Sequence, residues 1–74
     1  MPHINLKCFP AEISAEQKET LINEMTSTIT KVFSCPDQVV SIVLEQIEPE
    51  KWPEVVVKPE LEGKVDKVIK TPVY

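Results

Sequence analysis

The dipeptide Met1-Pro2 at the amino terminus is the feature of this sequence that points most directly to chemistry. A small second residue such as proline permits removal of the initiator methionine, which would leave the Pro2 ring nitrogen as a secondary amine. Apolar surroundings would lower the pKa of that amine because they disfavour its cation, and the ring would fix the direction of the lone pair. We therefore predict that Pro2 is a general base that removes a proton next to a carbonyl group and returns it elsewhere.

The other reactive side chains do not indicate metal or nucleophile chemistry. The chain has one histidine, His3, and two cysteines, Cys8 and Cys35, without the close spacing of a zinc site. His3 and Cys8 fall on opposite faces of one predicted strand, so they cannot form a catalytic pair. The carboxylates lie mostly at predicted solvent-facing positions. We expect a reaction that needs no cofactor and no metal.

Length and composition narrow the class of protein. The 74 residues predict a single domain, residues 1–74, and a chain this short buries only about 60% of its unfolded surface, so it usually needs support from an oligomer. The net charge is −4 and arginine is absent, so nucleic acid is not an expected partner. No apolar run approaches the roughly 20 residues that span a bilayer, so no membrane partner is expected. Two cysteines without a leader segment predict a cytoplasmic protein with reduced thiols.

A strand, a long helix and a second strand follow one another along the chain. Residues 3–9, HINLKCF, alternate in side-chain direction, which is typical of a strand. Residues 14–33 carry apolar side chains at intervals of three and four, and the Ser14 and Gln17 pair at their start is a helix capping box. Residues 39–47, VVSIVLEQI, are apolar on both faces and predict a second strand that is buried on both sides.

This order of elements predicts a β-α-β unit with parallel strands, and therefore an α+β fold. A stripe formed by Leu61, Val65, Val68 and Ile69 predicts a short C-terminal helix near residues 60–70. One helix covers one face of the two-stranded sheet, and no remaining segment is large enough to cover the other. We therefore expect a homo-oligomer, with a homodimer as the simplest symmetric form and a higher oligomer as the alternative.

The order and spacing of several segments resemble the 4-oxalocrotonate tautomerase family. These segments are an amino-terminal Pro-x-Ile strand, a helix that opens SAEQKETLI, the strand VSIVLEQI, and Trp52 shortly after it. The resemblance implies the β-α-β tautomerase fold, which is half of a ferredoxin-like arrangement, and assembly as dimers or hexamers. It also implies that the free amine of Pro2 is the catalytic base. Trp52 matches the aromatic residue that lines the family's site, although a tryptophan there also suits a core or an interface.

This sequence departs from the family pattern at the positions that would bind the substrate. Relatives bind substrate carboxylates with arginines after the first strand and in the second strand. This chain has residues 11–13 (Ala-Glu-Ile) and Ser41 at the corresponding positions. Lys7 or Lys31 would supply the positive charge instead. Backbone N–H groups near Phe9 would polarise the substrate carbonyl.

Two functions follow from these observations. The first is a cofactor-free keto–enol tautomerase that acts on enol forms of 2-oxo acids, which would be phenylpyruvate-like. A single carboxylate and an apolar tail are expected, because the arginines that would clamp a diacid are absent. The second is a non-enzymatic oligomeric module with a degenerate site, which the missing arginines motivate. A hydratase or dehalogenase of the same superfamily fits less well, because those reactions use acidic groups and arginines to activate water.

Overall fold

The computed structural model describes residues 1–74 and contains the predicted β-α-β unit. Strand β1 spans His3–Cys8, helix α1 spans Ala15–Phe33, and strand β2 spans Ser41–Gln46. The two strands pair in parallel and form a two-stranded sheet. This arrangement confirms the predicted fold class, and it places the beginnings of both strands at one end of the sheet.

Local chemistry sets both ends of α1. The Ser14 hydroxyl accepts a hydrogen bond from the Gln17 backbone N–H at 3.0 Å, and the Gln17 side chain accepts one from the Ser14 backbone N–H at 3.0 Å. This capping box satisfies amide groups that the first helical turn would leave without partners. Ser34 ends the helix in a left-handed conformation, with φ 52° and ψ 48°, and Pro36 cannot continue it. A 3₁₀ turn over Asp37–Val39 then leads into β2.

The two faces of the sheet differ in polarity. The face toward α1 carries half-buried apolar side chains, namely Ile4, Leu6, Ile42 and Leu44. Ile4 shares a shallow cleft with Met25 and Ile29 of α1, so the helix covers this face. The outer face pairs His3 with Ser41, Asn5 with Val43, and Lys7 with Glu45. The outer face is therefore mainly polar.

The prediction that residues 39–47 form a strand with two apolar faces is wrong at both ends of that segment. Val39 belongs to the 3₁₀ turn, because Pro36 and Asp37 start a turn that delays the strand. Ile47 follows the last residue of β2. Only the inner face of the sheet is apolar, so the outer face alone does not demand a covering subunit.

The short C-terminal helix is present, but it begins earlier than the predicted range of residues 60–70. It spans Pro53–Glu62 and is wound as a π-helix, and a 3₁₀ turn over Val65–Lys67 follows it. Pro53 explains the early start, because the first turn of a helix does not need its missing N–H. The apolar stripe is broken in this way, and its last member, Ile69, is fully exposed.

Gly63 fixes the end of the C-terminal helix. Its N–H donates a hydrogen bond to the Lys58 carbonyl oxygen at 2.8 Å, five residues earlier. A β-carbon at this position would lie 2.8 Å from the Pro59 carbonyl oxygen, so the close approach of backbone requires glycine. Neither this helix nor α1 has the combined length and apolar character needed to span a lipid bilayer.

The isolated chain has no buried core. No residue is buried, and the accessible surface is 6043 Å². A compact monomer of 8.4 kDa would expose about 4,600 Å². The radius of gyration is 14.0 Å, whereas a compact chain of this length would have about 11 Å. Large apolar side chains stay exposed, among them Phe9, Val32, Phe33 and Val65. The chain thus leaves an excess of surface that further copies of it could cover.

Replacing Ser14 with alanine removes the hydroxyl that accepts the Gln17 amide hydrogen bond. We expect Ser14→Ala to lower the free energy of unfolding by about 1 kcal/mol, the usual cost of losing such a cap. Urea unfolding followed by circular dichroism measures the change. Ser27→Ala is the matched control, because its side chain lies on the exposed surface of α1 and should change stability by less than about 0.5 kcal/mol. Equal losses in the two variants would contradict the capping role.

Candidate functional site

Pro2 lies at the start of β1, on the same side of the sheet as Ile4. It lines a cleft of about 380 Å³ together with Ile4 and with Ile29 and Phe33 from the second half of α1. Its carbonyl oxygen accepts a hydrogen bond from the Ser41 backbone N–H at 3.2 Å, which ties Pro2 to β2. The predicted base is therefore held in place beside mainly apolar side chains.

A hydrogen-bonded pair joins the two strands next to Pro2. The His3 Nδ1 atom lies 2.7 Å from the Ser41 hydroxyl oxygen. Ser41 stands where the family resemblance implies an arginine. A hydroxyl and an imidazole therefore occupy this end of the sheet, and they cannot form the two parallel N–H bonds with which a guanidinium grips a carboxylate.

Phe9 and Trp52 come together at the opposite end of β1. Their rings meet edge to face, with centroids 5.0 Å apart and planes at 84°, an arrangement that aromatic pairs favour. Lys7 and Trp52 line one cleft of about 710 Å³, and the Lys7 ammonium lies 3.6 Å from the Glu45 carboxylate. The three predicted substrate-binding residues thus lie in one region. Lys31, the alternative cation, lies exposed in the last turn of α1 and outside this cleft.

A side-chain clamp that sequence reasoning missed holds the loop after β1. Gln46, the last residue of β2, donates a hydrogen bond to the Ala11 carbonyl oxygen at 3.0 Å and accepts one from the Ala11 N–H at 3.3 Å. The amide side chain takes the place of a backbone partner and fixes the loop that carries Phe9. The two residues are 35 positions apart, so no local pattern in the sequence could reveal the contact.

Trp52 has a second partner near the end of the chain, which sequence reasoning also missed. Its indole Nε1–H donates a hydrogen bond to the Tyr74 hydroxyl oxygen at 3.2 Å. Residues 68–74 form neither helix nor strand, and this bond brings their end back to the aromatic pair. The C-terminal segment therefore forms part of the surroundings of Trp52.

Pro2 and Trp52 do not meet within one chain. The strand β1 lies between them, and the distance from Pro2 to Phe9 along an extended strand is roughly 23 Å at about 3.3 Å per residue. Trp52 packs against Phe9, at the far end of this span. A site that uses both the Pro2 nitrogen and Trp52 has to combine residues from two chains.

Comparison with known proteins decides the family. The family model described as a tautomerase enzyme matches residues 2–58, well over half of the chain. The chain belongs to the tautomerase family. Tautomerase PptA of Shigella sonnei (strain Ss046) is 39% identical to it over 74 residues, which cover 100% of this chain and 97% of that relative. Tautomerase PptA of Enterobacter sp. (strain 638) and that of Escherichia coli O157:H7 are each 38% identical with the same coverage.

Family membership identifies this tautomerase as an enzyme of the isomerase class, because keto and enol forms are isomers. The resemblance seen in the sequence is confirmed, and an enzyme is favoured over a non-enzymatic module. The region matched by the family model begins at Pro2 and includes Phe9 and Trp52. It ends at Lys58, before the segment that carries Tyr74.

Replacing Gln46 with glutamate keeps the shape of the side chain but removes its N–H donor and sets a carboxylate against the Ala11 carbonyl oxygen. We expect Gln46→Glu to lower the free energy of unfolding by about 1 kcal/mol. The emission of Trp52, the single tryptophan of the chain, should also shift because the loop that carries Phe9 loosens. Gln38→Glu adds the same charge in the exposed 3₁₀ turn and should leave the emission unchanged. A Gln46→Glu protein with the original stability and emission would show that the clamp does not hold the aromatic pair.

Proposed function

We propose that this protein is a cofactor-free keto–enol tautomerase that acts on enol forms of 2-oxo acids with an aromatic or apolar tail, such as the enol of phenylpyruvate. The base is the Pro2 ring nitrogen, freed by removal of Met1. The position of Pro2 carries the proposal. It heads β1 beside Ile4, Ile29 and Phe33, and its carbonyl is bonded to β2.

The reaction moves one proton and requires no second reactant. The unprotonated Pro2 amine takes the proton of the enol hydroxyl, and the electron pair of that O–H bond forms the carbonyl. The electron pair of the carbon–carbon double bond then takes the proton from the Pro2 ammonium and forms a new C–H bond. The amine is regenerated, and the product is the keto isomer of the substrate.

The apolar cleft supports the protonation state that this reaction needs. His3 is the one titratable side chain that lines this cleft, whereas Ile4, Ile29 and Phe33 contribute no charge that would stabilise a cation. Apolar surroundings disfavour the charged form of an amine. We expect the pKa of the Pro2 amine to lie below that of proline in water. Its free-base form would then be populated near neutral pH, where a general base is most effective.

A two-fold pairing of subunits would bring the separated parts of the site together. Both strands are edges of the sheet, and an uncovered edge presents N–H and C=O groups without partners. When β1 pairs with β1 of a second copy about a two-fold axis, the strands run antiparallel, so the start of one lies beside the end of the other. Pro2 then approaches the partner's Trp52. The surface of 6043 Å² and the exposed Phe9 and Phe33 support a homodimer as the simplest assembly.

The proposal includes a cytoplasmic location and a small molecule as the partner. Cys8 and Cys35 are both free thiols, and the reducing cytoplasm keeps thiols in this state. The two lie in different parts of the fold, Cys8 at the end of β1 and Cys35 after α1, so we expect no disulfide between them within one chain.

The role of the Pro2 nitrogen is tested by a pair of chains that differ by one residue. One chain begins at Pro2, and the other carries a glycine before Pro2, so that the ring nitrogen is an amide without a usable lone pair. We expect ketonisation of enol phenylpyruvate to fall by about 10²-fold or more in the extended chain, since general base catalysis contributes about 10²–10⁴-fold. Mass spectrometry verifies each terminus, and circular dichroism verifies that both chains fold.

The pH dependence of the same assay distinguishes a catalytic Pro2 amine from a Pro2 with only a structural role. In the chain that begins at Pro2, kcat/KM should be constant at high pH and should fall as the pH drops through the pKa of the amine, because the ammonium has no lone pair. Pro2→Ala keeps an amine but loses the fixed ring, so it should retain part of the activity. Equal turnover by the chain with and without the extra glycine would remove Pro2 from the mechanism.

A further inference from the structure

The cleft beside Trp52 has a charge opposite to that of the chain as a whole. It is a concavity of about 710 Å³ between β1 and the C-terminal segment, and it is lined by four lysines, Lys7, Lys64, Lys67 and Lys70, and by one acidic residue, Glu60. Half of the eight basic residues therefore line one cleft, although acidic residues outnumber basic ones by twelve to eight in the chain. After the carboxylates that pair with three of these lysines are counted, one positive charge remains, and it favours an anion.

Lys70 differs from the other lysines of the cleft because it has no carboxylate within 4.0 Å. Each of the other three ammonium groups lies close to a carboxylate. The distances are 3.6 Å from Lys7 to Glu45, 3.0 Å from Lys64 to Glu60, and 3.6 Å from Lys67 to Asp66. Lys70 is thus the one lysine of the cleft without a paired carboxylate, while the Lys67–Asp66 pair is exposed and therefore weak.

The rest of the cleft is suited to an apolar body. Trp52, Val56, Leu61 and Val68 are half-buried side chains of its lining. Its volume lies within the range of about 300–1,000 Å³ that small-molecule sites occupy. The hydrogen bond from Trp52 to Tyr74 holds the end of the segment that carries Lys70 beside the apolar wall.

We propose that this cleft binds the carboxylate and the apolar tail of a small monocarboxylate, with Lys70 as the residue that holds the carboxylate and Trp52 as the wall for the tail. The identification of this ligand as the substrate rests on the proposed function. The cleft then supplies the charge that arginines supply in relatives, but as a single point charge, which suits one carboxylate better than two. Approach of the partner's Pro2 to Trp52 would bring the base to the same ligand.

Binding can be measured without turnover, because Trp52 is the only tryptophan and reports directly on the cleft. The probe is 3-phenylpropanoate, which has the carboxylate and the aromatic tail but no enol. Its neutral analogue, 3-phenylpropanamide, tests whether the charge is needed. We expect the carboxylate to change the Trp52 emission in a saturable way and to bind about tenfold more tightly than the amide, since the carboxylate adds a charge-assisted bond. Added salt should weaken the binding of the carboxylate but not that of the amide.

Two lysine variants locate the anion within the cleft. Lys70→Gln should weaken the binding of 3-phenylpropanoate about tenfold. In the ketonisation assay it should raise KM while kcat stays nearly constant. Lys18→Gln removes the same charge from the exposed surface of α1 and should change neither. Tyr74→Phe removes the hydroxyl that anchors the tail and should weaken binding by a smaller factor.

The outcomes separate this inference from the proposed function. Equal binding of the carboxylate by Lys70→Gln and by the original chain, or equal binding of acid and amide, overturns the role of Lys70. The chain with a glycine before Pro2 should still bind 3-phenylpropanoate, since the cleft does not use the amine. Binding that persists in that chain while turnover is unaffected overturns the proposed base and leaves the carboxylate site in place. Absence of any emission change with the carboxylate overturns the site itself.

Discussion

Parallel pairing of β1 with β2 is the constraint on which the rest of the structure depends. Two backbone hydrogen bonds bracket the sheet, from the Ser41 N–H to the Pro2 carbonyl at 3.2 Å and from the Ile47 N–H to the Cys8 carbonyl at 2.8 Å. They fix the register, hold Pro2 at one end, and leave Trp52 at the other. Because an extended strand of this length cannot bend back on itself, a site that used both Pro2 and Trp52 would need a second chain.

The large exposed surface of the isolated chain supports the same proposal of a second chain. The surface in excess of a compact monomer is about 1,400 Å², which is more than the roughly 800 Å² that each partner contributes to a standard interface. Apolar side chains such as Phe9 and Phe33 are half exposed or more within this surface. In the proposed dimer, pairing of β1 edges would bury apolar surface and would also bring the proposed base to the aromatic wall.

Local signals in the sequence predicted the β-α-β unit, and long-range contacts limited the prediction of the site. The Ser14 capping box and the alternation in residues 3–9 are encoded within a few positions, so both were predicted correctly. The C-terminal helix was misplaced, because Pro53 and Gly63 act through backbone geometry that an apolar stripe does not show. The bond between Trp52 and Tyr74 joins residues 22 positions apart, and only the folded chain brings them together.

The central claim is that each active site combines Pro2 of one subunit with Trp52 of its partner, and mixing two impaired chains tests it most directly. One chain carries glycine before Pro2 and the other carries Trp52→Ala, and the two are unfolded together and refolded at equal concentration. Half of the dimers should be mixed, and one of the two sites in each mixed dimer is intact, so about a quarter of the original activity should return. Activity no greater than the sum of the two separate chains, with mixed dimers present by mass spectrometry, would contradict a shared site.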